Sequence, residues 1–95
     1  MLRTSPSTDA VPASTRSELL AAIYFRRGYL DSAAEEWIAS LQAEPAPGAL
    51  VGLAHVAVAK GMPEDALTFC DEALQLEPDN EQAASLRDAV LAQAA

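Results

Sequence analysis

Apolar and polar positions alternate with a helical period in five blocks, the first four each closed by a glycine or a proline. In the first block Leu19, Leu20, Ile23 and Tyr24 fall on one stripe, followed by Arg27, which predicts a helix from Ser14 or Thr15 to Gly28. Thr15-x-x-Glu18 has the form of a capping box at its start. The second block opens at Asp31 or Ser32, with Ser32-x-x-Glu35 as a further box. It carries Ala33, Ala34, Trp37, Ile38 and Leu41 inward and stops before Pro45. Pro47 suits the first turn of a third helix, with Leu50, Leu53, Ala54 and Ala57 packed and Gly61 at its end. Pro63 opens a fourth, with Ala66, Leu67, Cys70, Ala73 and Leu74 inward. Asp79-x-x-Gln82 is expected to cap a fifth, with Ala83, Leu86, Val90 and Leu91 on one side.

The blocks repeat at an offset of 33 residues: Gly28 maps to Gly61 and Pro45 to Pro78. The same shift places Leu20 on Leu53, Ala21 on Ala54, Ala33 on Ala66, Ser40 on Ala73 and Leu41 on Leu74. Trp37 falls on Cys70, a change of size. Small residues let antiparallel helices approach, glycine turns the chain and proline ends each unit. A single hairpin cannot bury its apolar face, so such units stack. The expected fold class is all-α, with five helices arranged as stacked antiparallel hairpins in a short right-handed α-solenoid. Residues 1–13 are read as a flexible Ser/Thr/Pro-rich tail and 14–95 as the repeat domain. The units run 14–46 and 47–78, with a closing helix over 79–94.

Composition narrows the partners. Fourteen acids against six bases give a formal charge of −8, which disfavours nucleic acid and favours a basic or apolar protein surface. The single cysteine excludes an internal disulfide and a Cys-based zinc site, in keeping with a reducing cytoplasm. No apolar run reaches the roughly 20 residues of a membrane span. Arg3 and the Ser/Thr content of the N-terminus bear a slight likeness to an organelle transit peptide, an alternative to a plain tail.

The pattern resembles the tetratricopeptide repeat. The matching residues are Leu20, Ala21, Tyr24, Gly28, Leu30, Ala33, Trp37, Leu41 and Pro45 in the first unit. In the second they are Leu53, Ala54, Gly61, Ala66, Ala73, Leu74 and Pro78. Ser40 replaces the usual alanine, Ala57 stands where Tyr24 does, and Cys70 replaces an aromatic. The junction is one residue short of the family's spacing of about 34. The resemblance implies a scaffold or adaptor that holds a peptide or protein segment in the concave groove lined by first helices. The family's chaperone-binding members carry a clamp of Lys, Asn and Arg, and Glu18 and Ala22 stand where that clamp would begin, so it is absent.

Helical spacing outlines the groove. Val51, His55 and Val58 lie on one side of the third helix. The repeat offset adds Glu18, Ala22 and Phe25 from the first helix, flanked by Arg26, and Ala84, Asp88 and Leu91 from the fifth. His55 has no second His or Cys at ligand spacing, and Cys70 takes a core position, so neither is read as metal-binding or catalytic. The pairs Glu35-Glu36, Glu64-Asp65 and Asp71-Glu72 are read as solvated or dipole-complementing charges. The expectation is a binding module without cofactor, metal or enzymatic activity of its own. The alternatives are a homo-oligomerising module, with a homodimer through an uncapped N-terminal end at Ile23, Tyr24 or Phe25, and an accessory domain of a larger protein.

Overall fold

A computed structural model of the chain describes residues 12–94. The tail expected over residues 1–13 lies outside the described residues except for its last two, and Ala13 already belongs to the first helix. Five helices follow: α1 (Ala13–Arg26), α2 (Leu30–Ala43), α3 (Pro47–Ala59), α4 (Pro63–Leu76) and α5 (Glu81–Ala94), with no strand among the described residues. α1 pairs with α2 and α3 with α4 as hairpins. α3 also packs on α2, and α5 on α4, so each new first helix stacks against the hairpin before it.

The two hairpin turns are built alike. Gly28 and Gly61 take φ of +87° and +75°, the left-handed region that a side chain disfavours. The turn lets the Tyr29 N–H donate to the Tyr24 carbonyl at 2.9 Å, and the Met62 N–H to that of Ala57 at 2.8 Å. These bonds satisfy carbonyls that the helix end would orphan. Pro47 and Pro63 occupy first-turn positions as expected.

The helix starts differ from the expected ones. α1 begins after Pro12 and α2 after Tyr29, and no side chain caps either end, so the boxes at Thr15 and Ser32 do not form. Thr15 and Ser32 both lie inside their helices, past the first residue, rather than at the end a cap would need. At α5 the cap is Asn80 rather than Asp79: its Oδ1 accepts the Ala83 N–H at 2.8 Å.

α3 is the centre of the molecule. It is apolar on every side except at His55 and buries eight residues, including Leu50, Leu53, Ala54 and Ala57. The expected inward rows of α2 and α4 hold at Ala33, Trp37, Ala66, Cys70 and Ala73, with Leu41, Leu67 and Leu74 partly covered. Ile38 is exposed instead. Phe69, which helical spacing did not single out, touches all three buried clusters and ties them together.

α1 departs most from expectation. Leu19, Leu20 and Ile23 are 60%, 45% and 41% exposed, while Ser14 and Ala21 are buried and Tyr24 and Phe25 are partly covered. The covered row is therefore the one with small Ala21 against α2. Small residues permit the close approach, and the large aliphatic ones remain outside. Of the residues expected to be partly bare, Ile23 is exposed and Tyr24 and Phe25 are half-covered, while Leu19 and Leu20, expected as core, are exposed as well.

Candidate functional site

An aromatic group forms where the two hairpins meet. Phe25 of α1 lies 6.0 Å from Trp37 of α2 and 6.2 Å from His55 of α3, ring centre to ring centre, in tilted and edge-on arrangements. The group stands beside an open cleft of about 520 Å³ between α3 and α5. Trp37, Val51 and His55 line one wall, and Gln82, Ser85 and Leu86 the other.

Glycine makes this cleft. A Cβ on Gly52 would lie 2.2 Å from the Trp37 ring, closer than any side chain tolerates. The indole therefore lies directly against the α3 backbone at Gly52, and both Gly52 and Gly48 border the cleft. The packing requirement overrides the preference of a helix interior for alanine. A glycine inside an otherwise apolar helix was the available signal for this notch.

Glu18 does not face an open groove. Its Oε1 sits 2.8 Å from where a Cβ on Gly48 would be, so its carboxylate lies against the first turn of α3. A negative charge there complements the helix dipole. Ala22 is exposed, and Arg26 is exposed one turn beyond both Ala22 and Ile23. Val51 is only 4% exposed and packs with Leu50, Ala73 and Ala83, giving the cleft just an edge.

His55 sits in the cleft wall. Partial burial lowers its pKa from the ordinary value, so the ring is neutral near pH 7 and offers one donor and one acceptor. Val58 lines a separate small cavity of about 220 Å³ with Gly61, Pro63, Val90 and Gln93. Ala84, Asp88 and Leu91 are exposed and line neither cavity; α5 turns Gln82, Ser85 and Leu86 toward α3 instead. The repeat offset maps like positions onto one another. The side that α5 shows to α3 carries Gln82, Ser85 and Leu86, and that side forms the cleft wall. The structure thus brings Phe25, Val51 and His55 together, adds Trp37, Gly52, Gln82 and Ser85, and leaves Val58, Asp88 and Leu91 apart.

Cys70 is fully buried among Ala54, Ala57, Ala66 and Val90. Burial pushes its thiol pKa up, Asp71 adds to the rise, and Arg87 opposes it. A protonated, enclosed thiol is a poor nucleophile. Among the described residues no three His, Cys, Asp or Glu side chains converge as a metal site, and no helix is long and apolar enough to cross a membrane.

Comparison with protein-family models and with curated proteins returned no match.

Proposed function

We propose that the chain is a helical-repeat interaction module, of the tetratricopeptide kind, that holds a segment of another protein in the cleft between α3 and α5. The observation that carries this reading is the cleft itself: an apolar, aromatic wall of Trp37 and His55 beside Phe25, facing polar Gln82 and Ser85. Binding sites combine an apolar lining with a few placed polar groups in this way. A neutral imidazole fits recognition of a peptide amide. The net charge of −8 favours segments that carry lysine or arginine. The enclosed, protonated Cys70 and the aromatic, rather than acid–base, neighbours of His55 favour binding over catalysis.

Trp37, the only tryptophan, lines the cleft and reports occupancy through its own emission. A partner captured with the intact chain should perturb that emission. It should bind Phe25→Ala and His55→Ala at least about tenfold more weakly, the equivalent of roughly 1.4 kcal/mol. Unchanged affinity in both variants, with helicity intact, sinks the reading.

A further inference from the structure

We infer that the outer row of α1 is a second interaction surface, separate from the cleft, which takes an acidic amphipathic helix of a partner protein. The row is Arg16, Leu19, Leu20, Ile23, Arg26 and Arg27, at helical steps of three and four. All six are exposed. Three large aliphatic side chains thus form one continuous stripe with arginine at both ends, and among the described residues none of the three arginines makes an ion pair.

The repeat shows what covers such a row. The 33-residue offset maps it onto Ala49, Gly52, Leu53, Val56, Ala59 and Lys60 of α3. Ala49, Leu53 and Val56 are buried with Ala33 and Trp37 of α2, and Gly52 lies under the Trp37 ring. Lys60, at the C-terminal end of α3, pairs with Asp31 in the first turn of α2. Arg27 holds the same end position on α1. The fitting occupant is therefore a helix laid as α2 lies on α3, with a carboxylate in its first turn for Arg27. Its sixth residue after that acid must be small, because Leu19 fills the place where Gly52 makes room for Trp37.

Charge favours a foreign helix over a second copy. Residues 13–28 hold three arginines and one carboxylate, whereas residues 29–95 hold twelve carboxylates and two cations. Pairing this row antiparallel with itself, Leu20 opposite Ile23, sets Arg16 against Arg27 of the other copy, and like charges repel. The acidic helices of a second copy offer no matching stripe: α2, α4 and α5 each leave one large apolar residue exposed, Ile38, Leu76 and Leu91 respectively.

The probe is a helix-stapled peptide copying residues 30–43 with Trp37→Ala, titrated into the isotope-labelled full chain. Amide shifts confined to residues 16–27 are expected. Binding should weaken at least about tenfold in Leu20→Asp and in Arg27→Glu. Both positions are exposed, so circular dichroism should show the fold unchanged. The peptide that keeps Trp37 should bind more weakly than the alanine version. No shifts at about 1 mM peptide, or shifts centred on α3 or α5, overturn the proposal. Concentration-dependent self-association of the chain alone, abolished by Leu20→Asp, overturns it in favour of a second copy. Cleft variants such as His55→Ala should leave this binding unchanged, which separates failure here from failure of the cleft reading.

Discussion

The chain makes the same joint twice, and the two joints distribute bulk in opposite ways. Where α2 meets α3, the volume sits on the second helix of the hairpin: Trp37 lies in a notch that Gly52 leaves open. Where α4 meets α5, the corresponding residue is small Cys70, and α5 brings Leu86 and Val90 to the seam. Ser85, at the register of Gly52, retains its side chain. An exposed ion pair bridges each joint: Lys60 with Asp31 at the first, and Arg87 with Asp71 at 2.8 Å at the second. Exposed pairs add little energy, so the apolar seam supplies most of each joint. The lesson is that a stacked repeat keeps the filling of its seam and can trade which partner supplies it. The trade also explains why the aromatic wall stands at the first joint.

Several substitutions test that contrast. Trp37→Ala should cost about 3–5 kcal/mol, since it empties a buried aromatic site, whereas Cys70→Ala should cost about 1 kcal/mol. Urea denaturation measures both, and equal losses would mean that the joints are alike after all. Gly52→Ala should cost about 2 kcal/mol despite alanine's better helix propensity, because the rigid indole blocks the added methyl. In the Trp37→Ala background the same change should be neutral or stabilising, a non-additivity that a double-mutant cycle reads directly.

Ser40 offers a gain. It is fully buried, its Oγ has no hydrogen-bond partner among the described residues, and its repeat mate is Ala73. Ser40→Ala should raise stability by about 1 kcal/mol by removing an unsatisfied hydroxyl. A loss of stability would show that the hydroxyl is satisfied in solution.

The smallest effect is a pH dependence at the cleft wall. The folded-state pKa of His55 is lowered by partial burial, so the unfolded chain takes up the proton first as pH falls. Its contribution is intact above the ordinary value of about 6.5 and is lost as pH drops toward the lowered folded value. The difference in melting temperature between the chain and His55→Gln should therefore change between about pH 7.5 and pH 5.5. A constant difference would place His55 in open solvent.

Local signals carried the secondary structure. Gly28 and Gly61 end helices and Pro47 and Pro63 begin them, because those residues restrict or free the backbone itself. Start signals that depend on side chains were less secure. A Ser or Thr three places before a glutamate caps a helix only when it stands at the helix end, and Thr15 and Ser32 stand inside theirs.

What the sequence determined by itself was the five helices, the hairpin turns and the repeat register, all set within a few residues of chain or by a fixed offset. The tertiary structure alone decided which face of α1 is covered and which expected groove residues are packed, whereas the inward rows of α2 and α4 largely followed the period. Leu19, Leu20 and Ile23 read as core by period, yet they are bare because no described helix lies over them. Val51 and Glu18, read as groove, pack in large part against Ala73 and Ala83 and against Gly48 respectively. Periodicity identifies an apolar side, but burial requires a neighbour, and only the assembled fold shows where each neighbour sits.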